Sequence, residues 1–460
     1  MVRPILTVVL TFFIFIYSTH AKSKGPQSIV PDPSSSYYAV WAKNGEPIVA
    51  QNERVPLNPA SNVKLITSYC AMKELGPKHR FETQFFGDQP LQNGQLQNLW
   101  VKGFGDPSMV NESLFAVVDW LKQTGLKKIA GDIYIDGSYF DSQGYPGRQE
   151  NNERAYNAPT SATPLNFNSA EVQIQSDRSR VYVKLLPEME FLKLESRIRV
   201  GGRRTLIRIN ANPLKDGEAI VVSGQLKPNV AAFSLYRSIS NPSEFFGNAL
   251  AAMMKQSGIE FNGSVKTGTV TTQTLLWKWG SKPLNAIVAD MNKFSNNFIA
   301  EQLTKYLGAQ KFGPPGTTQK GIAVLRDCLA KSGIDTANLY LENGSGLSYN
   351  NRTTAEQLVS VLRAGLKDPA IRNEFIDSLS VAGVDGTMKS RNVPKALEGV
   401  LRAKTGSLNG ISSLAGYIPS ANGEVVVFAI LMNNTRKSLW EMHRLQDNLV
   451  LQWLGLKIDR

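Results

Sequence analysis

The sequence predicts an α/β (α+β) protein in which one antiparallel sheet with flanking helices is interrupted by a large β-rich insertion. Strand patterns stand at both ends of the chain, and helical text fills the stretch after residue 284. Gly-rich, strand-dominated text lies between them, over residues 84–283. With 460 residues, 42% of them hydrophobic and 19% charged, the chain suits two or three globular units rather than a disordered polymer.

The elements follow in order. Arg3 precedes an apolar run from Ile5 to Tyr17, and Ser18-Thr19-His20-Ala21 sets small residues three and one positions before a cut after Ala21. This reads as a Sec signal peptide over residues 1–21, too short for a comfortable membrane span, with an uncleaved N-terminal anchor as the alternative. No Cys follows the run, which argues against a lipoprotein, and no later stretch is apolar for long enough to cross a bilayer. The mature chain is therefore expected in the periplasm. A Pro/Ser-rich lead-in, Pro26 to Ser36, comes next. Tyr37 to Lys43 and Pro47 to Gln51 then flank Asn44-Gly45 as a hairpin. A helix follows, with Asn58 as N-cap, Pro59 at N1, and Val63, Ile66 and Cys70 on one face. Gly76-Pro77 ends it, so Ser61 falls in its first turn, at about N3.

In the insertion, Leu99 to Lys102, Ile129 to Ile135, Val172 to Gln175, Val181 to Leu186, Ile207 to Asn210 and Ala219 to Ser223 read as strands. Asn111 to Thr124 and Pro242 to Gln256 read as helices. Arg197, Arg199, Arg203, Arg204 and Arg208 form a basic cluster, most simply a solvated strand face. Beyond it, Phe298, Ile299, Gln302, Leu303, Tyr306 and Leu307 make a helical stripe. Helices near Gln319 to Lys331, Thr354 to Leu366 and Ala370 to Ser378 follow. Val400 to Thr405, Ser412 to Ile418 and Glu424 to Met432 are strands, the last two joined by an Ala421-Asn422-Gly423 turn. A helix over about Ser438 to Leu454 closes the chain.

Composition excludes several chemistries. Only His79 and His443 remain after the signal, and neither has a partner at zinc-ligand spacing. No metal site or cofactor is expected, and nucleophilic catalysis would need a base other than histidine. The two cysteines, Cys70 and Cys328, lie on helical segments among apolar neighbours and read as two buried thiols rather than a bridge. The net charge of +13 fits attraction to anionic wall polymers or phospholipid headgroups as well as it fits a solvated basic face. No nucleic-acid motif is present.

Three motifs carry chemistry. Ser61-Asn62-Val63-Lys64 places a lysine one helical turn from a serine, on the same face. A serine hydroxyl needs a base to become a nucleophile, and lysine serves when burial and nearby cations lower its pKa. An N–H at the helix start, free of an intrahelical partner, can face a developing oxyanion. Ser295-Asn296-Asn297 stands at a second helix start. There a hydroxyl can pass a proton to a leaving amine, and the Asn297 amide can bind both lysine and substrate; the same residues also suit plain capping. Lys404-Thr405-Gly406 lies on a strand. Lys404 brings a second positive charge and, with Thr405, can bind a carboxylate. Gly406 lets a substrate backbone approach the strand edge, and Ser407 N–H can be a second oxyanion donor. A second copy, Lys266-Thr267-Gly268, precedes Ser295 and so stands in the wrong order; it is assigned no role.

In this order the motifs resemble the active site of the penicillin-interactive serine enzymes. The long gap between the first two resembles the D-alanyl-D-alanine carboxypeptidase/endopeptidase family S13, the low-molecular-mass class C penicillin-binding proteins. Gly103-Phe104-Gly105-Asp106-Pro107, Ala162-Thr163-Pro164-Leu165, Asn343 to Ser348 and Gly383 to Thr387 resemble further segments of that family. Asn343 departs from the usual Asp, and Asn350-Asn351 follow where an Arg is often nearer the Ser. The resemblance implies a penicillin-binding/β-lactamase-like transpeptidase domain from residues 22–83 and 284–460, around an 84–283 insertion of one or two small domains. It implies serine-type cleavage of D-Ala-D-Ala in peptidoglycan stem peptides and cross-links, through a Ser61 acyl-enzyme. Ser61, Lys64, Ser295, Asn297 and Lys404 would be catalytic; Thr405, Gly406 and Ser407 would bind substrate. β-Lactams would be covalent inhibitors, and the basic surface would serve peripheral membrane or wall association. A serine β-lactamase shares the motifs but is normally one domain. A non-catalytic wall-binding protein on this fold would not need all of these polar residues intact.

Overall fold

The computed structural model describes residues 34–149, 154–271, 273–421 and 423–455. The expected signal peptide, residues 26–33 of the lead-in and Asn422 of the turn lie outside the described residues. Six antiparallel strands make the central sheet, in the order Ser380–Val381, Arg402–Leu408, Ile411–Pro419, Val425–Met432, Ser35–Trp41, Pro47–Gln51. The N-terminal hairpin thus joins the C-terminal strands. Val425–Met432 reads VVVFAILM without polar alternation because both of its faces are covered. Val426, Phe428 and Ile430 pack with Leu449, Val450 and Trp453, whereas Val427, Ala429 and Leu431 face the opposite helical layer.

The helices are α1 (Val63–Leu75), α2 (Asn111–Gln123), α3 (Pro242–Gln256), α4 (Leu284–Lys293), α5 (Asn297–Phe312), α6 (Thr318–Lys331), α7 (Ala355–Lys367), α8 (Arg372–Asp377) and α9 (Leu439–Trp453). α9 covers one face of the central sheet, and α1 and α4–α8 share the core on the other. α1 is buried on all sides from Val63 to Met72, so the expected single apolar face is too narrow a description. Two sequence expectations about it are corrected. Asn58 does not cap α1. Its Oδ1 accepts from Ala60 N at 2.7 Å, residues Ala60–Asn62 form a 3-10 turn, and Asn62 is the N-cap. Ser61 therefore sits inside that turn rather than at N3 of an α-helix. Cys70 and Cys328 are bridged, not free. α1 and α6 run side by side and bring the two Cα atoms to 5.9 Å, within disulfide range, across 258 residues of chain.

Residues 82–280 build separate sheets. Val265–Thr267, Ile133–Asp136, Leu99–Gly103, Glu82–Gly87 and Thr274–Gly280 form a five-stranded one, partly parallel, against which α3 packs. Its first and last strands in the chain are neighbours, Thr83 opposite Trp279. The expected strand from Ile129 to Ile135 is two strands, Lys128–Ile129 and Ile133–Asp136. Gly131 interrupts them, where a Cβ would collide with Asn98 Oδ1 and Gln97 O. Leu192–Val200 was not expected. It pairs with Gly217–Leu226, and its sequence, LKLESRIRV, is mostly exposed, so its apolar signal is weak. Of the basic cluster, Arg197, Arg199 and Arg208 lie on this sheet, and Arg203 and Arg204 lie in the turn between two of its strands. Arg197 and Arg208 flank Ser223 in register, on its solvent face.

Candidate active site

The 3-10 turn that carries Ser61 is held from three sides. Asn58 Nδ2 donates to Ser348 O at 3.0 Å, Asn58 and Asn433 exchange two hydrogen bonds, and Ser413 Oγ donates to Pro59 O at 2.6 Å. Ala60 takes φ +46°, a left-handed value rare for a residue with a Cβ. Gly346 fits against it because a Cβ there would strike Ala60 O. Asn62 N–H closes on Pro59 O and Val63 N–H on Ala60 O, leaving Ser61 N–H at the open start of the turn.

Lys64 is fully buried one turn below. Its Nζ lies 3.0 Å from Ser61 Oγ, 2.8 Å from Asn297 Oδ1 and 2.6 Å from Ser345 O. Burial pushes the ammonium down to about 7, against the opposing pull of the Glu301 carboxylate. Two hydrogens of a neutral amine suffice for Asn297 and Ser345, which leaves its lone pair toward Ser61 Oγ.

Asn296 caps α5, its Oδ1 accepting from Ile299 N at 3.1 Å. Capping and chemistry are thereby divided between neighbours, because Ser295 and Asn297 face the site instead. Ser295 reaches it at φ +54°. Lys404 enters from Arg402–Leu408, also fully buried, and its Nζ donates to Ser295 Oγ at 2.9 Å and Thr405 O at 2.7 Å. Burial first, then the charge of Lys64, hold Lys404 well below the ordinary lysine range. The Thr405 hydroxyl lies 2.7 Å from that of Thr387. At Gly406 a Cβ would collide with Ser413 Oγ and stand only 2.8 Å from Pro59 O and 3.0 Å from Ser61 N. Ser407 follows on the same strand, opposite Ser412. A cavity of about 540 Å³ adjoins Ser295 and Asn297, walled in part by Tyr156, Phe167, Tyr236 and Phe294.

The family model of the D-Ala-D-Ala carboxypeptidase 3 (S13) family matches residues 27–451. The chain belongs to this family. A D-alanyl-D-alanine carboxypeptidase of Actinomadura sp. (strain R39) is 30% identical over 431 residues, 88% of this chain and 80% of the relative. The D-alanyl-D-alanine carboxypeptidase DacB of Haemophilus influenzae is 30% identical over 419 residues, 87% of this chain and 86% of the relative. The crystal structure of penicillin binding protein 4 (dacB) from Haemophilus influenzae superposes with a TM-score of 0.79 at 26% identity, covering 91% of this chain and 96% of that one. A predatory peptidoglycan endopeptidase of Bdellovibrio bacteriovorus, at 18% identity and TM-score 0.56, shares the fold.

For this S13 chain, the fold expected from the motifs, a penicillin-binding/β-lactamase-like transpeptidase arrangement, is the one observed. Ser61, Lys64, Ser295, Asn297, Lys404, Thr405 and Gly406 are brought to one place by the Ala60–Asn62 turn, α1, the segment that opens α5 and the Arg402–Leu408 strand, on which Ser407 follows. Lys266-Thr267-Gly268 lies elsewhere, with Lys266 paired to Asp132 at 2.5 Å. His79 contacts Tyr306. The His443 ring, pushed down to about 4 by burial, sits on α9. Asn343 has a use that the family's Asp lacks. Its Nδ2 donates to Pro146 O at 2.7 Å while its Oδ1 accepts from Gly346 N and Asn351 Nδ2. Sequence reasoning missed Glu301 and Asn433, and reached Thr387 only as the end of a family-like segment. Glu301 sits one helical turn after Asn297, a spacing that could have flagged it.

Proposed function

We propose that this D-Ala-D-Ala carboxypeptidase works through a Ser61 acyl-enzyme with Lys64 as base, on peptidoglycan stem peptides and on their cross-links. The observation that carries the proposal is the 3.0 Å contact between Lys64 Nζ and Ser61 Oγ, with the amine fully buried and poised at about 7. Lys64 takes the Ser61 proton as Oγ attacks the penultimate D-Ala carbonyl carbon. Ser61 and Ser407 N–H groups receive the oxyanion. As the C–N bond breaks, Ser295 gives its proton to the departing D-Ala amine. Lys404, 2.9 Å away, steadies the Ser295 oxygen, and the proton held on Lys64 restores the hydroxyl. Lys404 and Thr405 bind the substrate carboxylate. Water then attacks the ester with Lys64 again the base, releasing the shortened peptide and Ser61.

A β-lactam presents a strained amide to the same serine; a complex of the Haemophilus influenzae protein with a β-lactam is known. Residues 84–283 serve as an insertion in the catalytic domain, a reading supported by the adjacent strands on which the chain leaves and returns. The buried Cys70–Cys328 bridge supports an oxidising compartment, hence the periplasm after removal of residues 1–21. Arg197, Arg199 and Arg208 on one sheet face support peripheral attachment to anionic phospholipid or wall polymer. Arg-to-Gln variants at the three should lose salt-sensitive sedimentation with anionic vesicles or isolated sacculi.

Labelled penicillin tests the chemistry. Wild type should take up one label per chain and Ser61→Ala none; an unlabelled wild type sinks the proposal. Digestion of cross-linked and uncross-linked muropeptides then tells whether both bonds are cut.

A further inference from the structure

Glu301 is a carboxylate with no exposed surface, one helical turn along α5 from Asn297. The sequence motifs do not include it, and the mechanism above does not use it. Both of its oxygens face backbone donors of one loop: Oε1 accepts from Ser345 N at 2.8 Å and Oε2 from Gly344 N at 3.5 Å. The same two residues turn their carbonyls the other way, toward α1. Thr67 Oγ1 donates to Gly344 O at 2.7 Å, and Lys64 Nζ donates to Ser345 O at 2.6 Å. Gly344 has no room for a Cβ beside Thr304 of α5. One loop is therefore clamped between α5 and α1, and the carboxylate lies one residue behind the carbonyl that holds the amine.

We propose that Glu301 is the positioning residue of the Lys64 amine, fixing the Gly344-Ser345 loop and supplying the negative charge that the two buried lysines lack. The assignment rests on the Ser61–Lys64 reading. Partners that only donate suit an ionised carboxylate, which has no hydrogen to give. With Glu301 ionised and Lys404 charged, Lys64 can be neutral in a site without net charge; with both lysines charged, one buried cation is uncompensated. Burial raises the Glu301 carboxyl, and the Ser345 hydroxyl, the two loop N–H groups and then Lys64 offset only part of that rise. The groups that face this pair are few. Lys404 approaches Lys64 from the sheet side. Tyr145, a buried hydroxyl without a hydrogen-bond partner among the described residues, faces Glu301, with Arg148 behind it. One turn further along α5, Lys305 is taken up by Asp141.

The test is the pH profile of acylation by labelled penicillin, from pH 5 to 9, together with thermal melting. Glu301→Gln can still accept from Ser345 N but carries no charge. Its acid limb should move to lower pH by roughly half a unit or more, because Lys64 then sheds its proton more readily. Its plateau should fall several-fold, because the amine is a weaker base. A folded Glu301→Gln whose limb coincides with wild type overturns the proposal, since a purely structural role moves the plateau and not the limb. Should Glu301→Gln not fold, Glu301→Asp decides. Charge retained at shorter reach keeps the limb and lowers the plateau, and a displaced limb overturns the proposal. Failure of the underlying reading looks different, because wild type itself would then take no label.

Discussion

The chain writes Lys-Thr-Gly twice, and the two copies could hardly sit more differently. Lys404 is fully buried and touches Ser295; Lys266 is half exposed and touches Asp132. Gly406 lies against the backbone of Pro59 and Ser61, where a side chain has no room, whereas at Gly268 a Cβ would meet only the rings of Trp100 and Tyr134, at 3.2 and 3.3 Å. Both copies lie on strands next to a neighbour of regular register. The tripeptide is therefore a strand with a small residue and nothing more until something is packed against it. What sets the second copy apart is the 3-10 turn before α1, which brings Ser61 against Gly406, and the segment before α5, which brings Ser295 to Lys404.

The comparison breaks most visibly at the lysines. Lys404→Ala should cut penicillin acylation by about 10² to 10⁴, the range for losing a group that steadies proton transfer. Lys266→Ala should leave it at the wild-type rate. Equal losses in stopped-flow labelling would dissolve the distinction. The glycines come next. Gly406→Ala must displace Pro59, Ser61 or Ser413, so acylation should fall roughly 100-fold, as misplacing a reacting group by an ångström does. Stability should drop by about 1–3 kcal/mol from overpacking. Gly268→Ala should melt near wild type and acylate normally, because flat rings at its side can shift by a few tenths of an ångström.

Why one copy could be chosen from sequence and the geometry around it could not is a matter of distance along the chain. Order alone rejected Lys266, and the spacing of Ser61 and Lys64 needed only one helical turn. The 3-10 turn was not readable, because the contacts that hold it come from Gly346, Ser348, Ser413 and Asn433, those of Asn58 to Ser348 and Asn433 spanning 290 and 375 residues. The Cys70–Cys328 bridge was misread for the same reason: apolar neighbours tell that both cysteines are buried, not that α1 and α6 are neighbours. Glu301 was hidden inside a helix whose other buried residues are mostly apolar or polar partners of the core. Strand Leu192–Val200 failed differently, since Ser196 breaks the apolar row of Leu192, Leu194, Ile198 and Val200 and most of the strand is exposed.

A smaller effect sharpens the comparison through pH. In the proposed mechanism acylation needs neutral Lys64, and burial lowers that amine to about 7. The rate should be level at alkaline pH and fall about tenfold for each unit well below 7. Lys64 and Lys404 are near enough to repel, and the repulsion acts on both. Removing the Lys404 charge should then make Lys64 easier to protonate. The residual activity of Lys404→Met should show its acid limb at higher pH than wild type, and Lys266→Met should show no change. A limb that stays put in Lys404→Met would mean that the two amines do not share a field.

The smallest effect belongs to the exposed copy. Hydrogen bonds from Lys266 and from Ser264 N–H hold the Asp132 carboxyl below its usual range. A depressed carboxyl contributes stability above its unfolded value and loses that contribution as pH falls through the folded one. Asp132→Asn should therefore lower Tm slightly at neutral pH, with the gap closing below about pH 4, near the ordinary Asp value. Added salt should narrow the gap as well, because the pair is open to solvent. Acylation should be untouched at every pH. A loss of acylation in Asp132→Asn would show that the outer Lys-Thr-Gly strand communicates with Ser61 across the insertion, which its pairing does not suggest: its register partner is Ile133–Asp136, in a different sheet from the Arg402–Leu408 strand that carries Lys404.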